Sequence, residues 1–273
     1  MKKIVFIGGG HITQALIQGL VHSEVSPSEI IVSNPTLAKM RNFLIKTKVN
    51  STTDNKFAVK NSSIIFICVR PAVVKRVVQE IRSSILTDAV IISVAACINF
   101  DLLYRYFGRK KVKLVRIMPN IPVKENKGVI GFIAGTSVSL KEKTAITGML
   151  KKLGFVFECT NEKLLDKLSL ISGCGPGIVS YFINTLKNES QHLGFSADQS
   201  ETIALKTYEG TIAHLIQQQI SPQTLVKEVA TPGGVTESII MTLSTKYPLL
   251  LRKSLKSGYD RITNIARELE EKA

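Results

Sequence analysis

A doubly wound parallel α/β sheet followed by an all-helical domain is what this 273-residue sequence predicts, and three observations predict it. Short, continuously apolar, β-branched runs alternate with helical stretches as far as about residue 160, the pattern of strands buried on both faces of a parallel sheet. The first of these runs, Ile4-Val5-Phe6-Ile7, passes directly into Gly8-Gly9-Gly10 and then into a helical stretch. Strand, glycine turn and helix form the opening at which a dinucleotide fold meets a pyrophosphate. From about Asn161 onward only helical periodicity remains.

Gly8 and Gly10 stand at the first two glycine positions of G-x-G-x-x-G, with Thr13 at the third. Glycines there let the backbone turn sharply and approach a phosphate. The helix from His11 to Leu20 carries Ile12, Ala15, Leu16 and Leu20 on one face and offers its first N–H groups to the charge. Glu29 to Ser33 predicts a second strand, ending in Ser33-Asn34-Pro35-Thr36. An NAD-preferring site places Asp or Glu here to grip the ribose hydroxyls. This chain has short hydrogen-bonding side chains instead, with Lys39 and Arg41 close behind, so the site leans toward NADP(H), with NAD(H) as the alternative. A helix over residues 36–46, a short strand over 48–51 and a short helix opened by Asp54-Asn55 follow.

Ser63 to Val69 reads as the next buried strand, ended by Arg70-Pro71, where proline can start the helix carrying Val73 to Ile81. Ala89 to Val94 is another, closed by a small-residue turn at Ala95-Ala96, and Val112 to Met118 runs into Met118-Pro119-Asn120-Ile121-Pro122. Ligands of such sheets gather at the carboxyl ends of the strands. The turns at Gly8 to Gly10, Asn34, Val69 to Pro71, Ala95-Ala96 and Asn120 therefore fall on one rim. Gly128 to Ala134 and Phe155 to Glu158 are the last strands, flanking a helix over 140–153. Helices then cover 162–169, 175–193, 197–219, a short stretch after Ser221-Pro222, 236–243 and 248–271, the last two separated before Pro248. Gly173, Gly175 and Gly177 around Pro176 are costly at a helix start and point to close approach by a helix or ligand. The apolar faces of 178–193 and 203–216 read most simply as core, with a subunit interface as the alternative.

Composition bounds the function. Hydrophobic residues at 44% and charged ones at 21% mark a folding chain rather than a disordered one. No apolar run reaches the ~18 residues of a membrane span. Met1-Lys2-Lys3 ahead of Ile4 to Ile7 is too brief for a signal peptide, so a cytoplasmic location is expected. Cys68, Cys97, Cys159 and Cys174 are scattered without a C-x-x-C pair or a histidine at ligand spacing, so neither a disulfide framework nor a metal site is expected. The net charge is +15, but the basic residues are spread out, and the densest patch is Arg109-Lys110-Lys111 with Lys113. Without interleaved aromatics, this reads as a basic solvated surface that draws in an anionic cofactor and substrate, with no nucleic-acid and no membrane partner.

Two further segments, Ser172-Gly173-Cys174-Gly175-Pro176 and Thr231-Pro232-Gly233-Gly234-Val235-Thr236, join Val69-Arg70-Pro71 and Met118-Pro119-Asn120-Ile121-Pro122. In order and spacing this set resembles the pyrroline-5-carboxylate reductase family over essentially the whole chain. The resemblance implies an N-terminal Rossmann-type domain over 1–160 and an all-α dimerisation and substrate-binding domain over 161–273. It also implies a homodimer or a ring of dimers, and NAD(P)H-dependent reduction of 1-pyrroline-5-carboxylate to L-proline, the last step of proline biosynthesis. On the cofactor side, Gly8, Gly9, Gly10, His11 and Ile12 would lie under the pyrophosphate, with Ile7 leading into them. Asn34 and Asn55 would stand near the adenosine ribose and its phosphate. Val69, Arg70 and Pro71, preceded by Cys68, and Ala95 and Ala96 would border the nicotinamide, with Asn120 close by. Thr231, Gly233, Gly234, Val235 and Thr236 would hold the substrate carboxylate with backbone N–H groups, and the Thr236 hydroxyl, as the catalytic group, would hydrogen-bond the ring nitrogen.

Reducing a cyclic imine needs a hydride donor beside the C=N carbon and a proton on nitrogen, so positioning does much of the work. His11, His22, His192 and His214 form no acid–base constellation. The chain departs from the family pattern at His11, Thr13, Cys97, Ile121, Cys174, Gly177-Ile178 and Val235, none of which removes a group the chemistry requires. The alternatives are a related reductase of another imine or oxo acid, and a catalytically silent regulatory paralogue that keeps the fold.

Overall fold

Strands β1 (Lys3–Ile7), β2 (Ile30–Ser33), β3 (Asn50–Thr52), β4 (Ser62–Ile67), β5 (Val90–Ser93), β6 (Lys113–Pro119), β7 (Gly128–Ala134) and β8 (Gly154–Glu158) form one sheet. Their order is β3-β2-β1-β4-β5-β6-β7-β8. The computed structural model describes residues 3–108 and 111–272, so Met1, Lys2, and Arg109 and Lys110 of the basic patch lie outside the described residues. β1 to β6 are mutually parallel, with Ile4 beside Ile30 and Ile7 beside Ile67. β7 runs antiparallel to β6, and β8 parallel to β7. The expected parallel sheet thus holds for six strands, and the last two reverse. The connection explains it: the segment between β6 and β7 fits only a 3₁₀ turn at Ile121–Glu125, whereas a parallel return needs a crossover of a dozen residues or more.

Alternation along β1 sends side chains to both faces. Ile4 and Phe6 join Leu16 and Leu20 of α1 (His11–His22) and Leu150 of α6 (Leu140–Lys151). Phe6 stacks on Phe66 with ring centroids 4.4 Å apart. Val5 and Ile7 face the other way, toward Ala58 of α3 (Asn55–Val59), Val74 and Val78 of α4 (Pro71–Ile81), and Leu103 of α5 (Phe100–Phe107). The helix expected over 36–46 divides into a 3₁₀ turn, Leu37–Met40, and α2, Arg41–Thr47. α5 lies where no element was predicted, although its signals are present. Asn99 caps its start by accepting from Leu102 N at 2.8 Å, and Gly108 ends it in the left-handed region.

α6 opens with a capping box between Ser139 and Glu142, and Lys113 Nζ donates to Glu142 Oε1 at 2.6 Å. Burial pushes the Glu142 carboxyl up, but hydrogen bonds from Lys113 and Ser139 more than offset it and hold it down at about 2. A depressed folded-state value stabilises above the unfolded value of 4.5 and is lost as pH falls through about 2. Glu142→Gln is therefore expected to cost about 1 kcal/mol at neutral pH. The gap between the two proteins in denaturant unfolding should close between pH 4.5 and about 2.

After β8 every element is helical: α7 (Glu162–Leu168), a π-helical turn at Ser169–Gly173, α8 (Gly175–His192), α9 (Ala197–Gln218), α10 (Pro222–Val229) and α11 (Val235–Glu271). The break expected before Pro248 does not occur, and α11 runs through that proline. Pro248 has no N–H for the carbonyl four residues back, but that carbonyl lies among exposed residues where water can serve it.

Packing divides the chain into a unit of Met1–Pro176 with Tyr259–Ala273, and a unit of Gly177–Gly258. The end of α11 thus belongs with the sheet. Leu269 joins the α4/α5 core, and Lys75 Nζ donates to the Lys272 carbonyl at 2.8 Å. In the second unit Lys187 pairs with Glu201 at 2.6 Å, and Phe182 meets Tyr247 edge-on at 5.5 Å. The apolar faces of α8 and α9 are not core within the chain: Leu193 is 81% exposed and Ile216 72%. The buried residues of this unit are Ser190, Ser200 and Ala204, so no large apolar side chain is enclosed there.

Candidate functional site

The carboxyl ends of β1, β2 and β4 enclose a cleft of about 490 Å³, within the ~300–1,000 Å³ range of ligand sites. At its floor lies the glycine turn. Gly8 has φ +100°, and a Cβ there would sit 2.6 Å from the Cys68 carbonyl oxygen, so only glycine lets β1 turn this close to β4. Its N–H donates to the Ser33 carbonyl at 2.8 Å. Gly9 is confined by a side chain rather than by backbone, since a Cβ would meet Met40 Sδ at 2.0 Å, and its N–H donates to Asn34 Oδ1 at 3.1 Å. Gly10 differs. It is the N-cap of α1 with no side-chain cap, and a Cβ there would meet nothing within 4 Å. The protein itself does not require glycine at that position.

Of the residues expected at the cofactor, Ile7, Gly8, Gly9, Gly10, Asn34 and Asn55 line this cleft, as do Cys68, Val69 and Arg70. His11, Ile12 and Pro71 are in adjoining first turns of α1 and α4 but do not line it. Ala95 and Ala96 form the turn after β5, also outside the cleft. Asn120 is buried, and its side chain braces the end of β6: Oδ1 accepts from Val129 N at 2.9 Å and Nδ2 donates to the Ser172 carbonyl at 3.0 Å. The Asn34 amide is likewise engaged, between Gly9 N and the Thr36 carbonyl.

The sequence reading missed a helix face. α4 contributes Val73, Arg76, Val77 and Glu80 to the cleft, spaced as one stripe of a helix. The periodicity was legible, but which side would face the rim was not. Lys39 and Arg41, the cations expected near the end of β2, do not line the cleft; Arg70 and Arg76 do.

Neither thiol near the turns is a nucleophile at neutral pH. Burial pushes Cys68 up to about 12, against a neighbouring Thr13 hydroxyl, and burial pushes Cys97 up to about 11. Cys97 adopts φ +64°, in the left-handed region that favours glycine. Among the described residues, no group of three His, Cys, Asp or Glu could hold a metal ion. No helix among them is long and apolar enough to cross a membrane.

In the second unit, Thr231 to Gly234 make a turn leading into α11, with Gly233 at φ +73°. Gly234 N donates to the Thr231 carbonyl at 2.9 Å and Gly233 N to Glu237 Oε2 at 2.7 Å. The two glycine N–H groups are therefore occupied within the loop. Val235 and Thr236 follow in the first turn of α11, Val235 80% exposed and Thr236 half-buried.

Residues 3–97 match the family model described as NADP oxidoreductase coenzyme F420-dependent, and residues 162–269 match the model for pyrroline-5-carboxylate reductase dimerisation. Pyrroline-5-carboxylate reductase 3 of Danio rerio is 31% identical over 235 residues, covering 86% of this chain and 81% of its own. Pyrroline-5-carboxylate reductase 2 of Bacillus subtilis (strain 168) is 29% identical over 245 residues, covering 89% and 87%. Among solved structures, pyrroline-5-carboxylate reductase from Coxiella burnetii has a TM-score of 0.83 at 27% identity, covering 98% of each chain. The pyrroline carboxylate reductase of Plasmodium falciparum, with NADP bound, has a TM-score of 0.85 at 22% identity, also covering 98% of each.

Proposed function

This chain belongs to the pyrroline-5-carboxylate reductase family, and from that premise we infer that it reduces 1-pyrroline-5-carboxylate to L-proline with NADPH, the last step of proline biosynthesis. On the molecule itself, Gly10 carries the reading. A glycine that no protein atom demands, at the uncapped start of a twelve-residue helix, leaves room and N–H donors for a pyrophosphate. The dinucleotide also suits the cleft's composition, with Val69, Val73 and Val77 for a flat base and Ser33, Asn34 and Asn55 for a ribose.

When bound, the reduced nicotinamide supplies the hydride. The chain's own part is to hold and orient. The first N–H groups of α1 take the pyrophosphate, the ends of β4 and β5 with Val69 to Pro71 and Ala95-Ala96 border the nicotinamide, and Asn120 keeps the end of β6 in register. Thr231 to Thr236 hold the substrate carboxylate. Because the Gly233 and Gly234 N–H groups are already engaged, the free donors of that loop are those of Val235 and Thr236 at the start of α11. The Thr236 hydroxyl hydrogen-bonds the ring nitrogen. The functional division falls between a cofactor domain over 1–160 and a substrate and dimerisation domain over 161–273.

The active form we propose is a homodimer, assembled further into a ring of dimers. A helical unit with no large apolar side chain enclosed does not stand alone, and the faces of α8, α9 and α11 supply the surface for a second copy. Substrate, cofactor and product are small, water-soluble molecules, which fits a cytoplasmic enzyme without nucleic-acid or membrane partners.

The direct test follows NADPH absorbance with 1-pyrroline-5-carboxylate added and assays proline. Loss of signal with proline appearing is expected; NADPH binding without turnover would refute the reading. Two glycine variants test the site itself. Gly10→Ala is expected to change stability by less than about 1 kcal/mol yet weaken NADPH binding about tenfold or more. Gly8→Ala is expected to cost about 2–4 kcal/mol in unfolding, because it combines a positive φ with a backbone clash.

A further inference from the structure

Helix α4 brings to the cofactor cleft two charges that the end of β2 lacks. Arg76 and Glu80 are one turn apart and both line the cleft, yet no ion pair joins them. Glu80 Oε2 accepts from Asn55 Nδ2 at 3.0 Å instead, and Asn55 Oδ1 accepts from Ser33 Oγ at 2.7 Å. This chain of hydrogen bonds fixes the Asn55 amide. A flip would set its oxygen against the Glu80 carboxylate, so its second N–H and the Ser33 oxygen keep one orientation beside the place for a ribose. Arg76 is exposed and has no carboxylate partner among the described residues. A guanidinium held on a helix at a cleft wall matches a phosphate with two parallel N–H donors.

We propose that Arg76 and Glu80 set this chain's preference between the 2′-phosphorylated and the unphosphorylated dinucleotide. Arg76 holds the 2′-phosphate; Glu80 positions Asn55 for the ribose and contributes a negative charge that Arg76 outweighs. The proposal rests on reading the cleft as the adenosine end of a nicotinamide cofactor site. It assigns the work to a different helix from the one expected, since Lys39 and Arg41 do not line the cleft.

The experiment titrates the full-length protein calorimetrically with 2′,5′-ADP and with 5′-AMP, and separately with NADPH. Arg76→Gln is expected to weaken 2′,5′-ADP about tenfold or more and leave 5′-AMP within about twofold, the size of a charge-assisted hydrogen bond lost. Arg76→Lys should recover part of the loss. Glu80→Gln is expected to weaken 5′-AMP, because Asn55 loses its orientation, while the ratio of 2′,5′-ADP to 5′-AMP affinity rises with removal of the negative charge. Thermal unfolding of each variant checks that the fold is kept. An Arg76→Gln variant that weakens both fragments equally, or neither, would overturn the proposal, as would a Glu80→Gln variant whose ratio is unchanged. A wild-type protein that binds neither fragments nor NADPH would overturn the cofactor reading as well; fragment binding with a ratio insensitive to both positions defeats the proposal alone.

Discussion

Replacing Thr236 with alanine is expected to lower turnover about a hundredfold while NADPH affinity stays within about twofold, since a positioned proton partner is worth ~10²–10⁴ in rate. Thr236 is the second residue of α11, after the turn at Thr231 to Gly234, and is not among the residues that line the cleft of the glycine turn. Thr236→Ser keeps the hydroxyl and should keep most of the rate, which separates the loss of hydrogen bonding from a packing defect. Stopped-flow NADPH oxidation with a parallel binding titration gives both quantities. A matching fall in NADPH affinity, or unchanged turnover, would remove Thr236 from the substrate side.

Arg116→Ala is expected to cost about 3–5 kcal/mol of folding stability, the penalty for breaking a buried ion pair from one side. Arg116 is 1% exposed on β6, with one guanidinium nitrogen 2.6 Å from Glu162 Oε1 and another 3.0 Å from Asp166 Oδ1. Glu162 Oε1 also accepts from Phe100 N at 2.9 Å, so the same carboxylate anchors the start of α5. Removing the cation leaves two partly buried carboxylates facing each other. Arg116→Met combined with Glu162→Gln and Asp166→Asn should recover part of the loss, because no unpaired charge remains. Urea denaturation reads the difference. A variant as stable as the wild type would show that the pair contributes nothing.

The amino-acid sequence by itself determined the strands, the glycine turn and the family. Each is a local signal: an apolar run of Ile and Val is buried wherever it lies, and Gly8 turns because only glycine takes its φ. Even α5 was readable from Asn99 and Gly108. The tertiary structure decided matters that depend on what a residue meets. The length of the β6–β7 connection reversed the last two strands, and α11 ran through Pro248 because its freed carbonyl lies among exposed residues. A helical stripe looks the same in sequence whether it meets a core, a ligand or another chain. Leu193 and Ile216 therefore read most simply as core, with a subunit interface as the alternative, and prove exposed within the chain, whereas Arg76 and Glu80, which the helical stripe of α4 left unassigned, prove to line the cleft. Periodicity specifies that a face exists, and only the packing of distant segments specifies what that face meets.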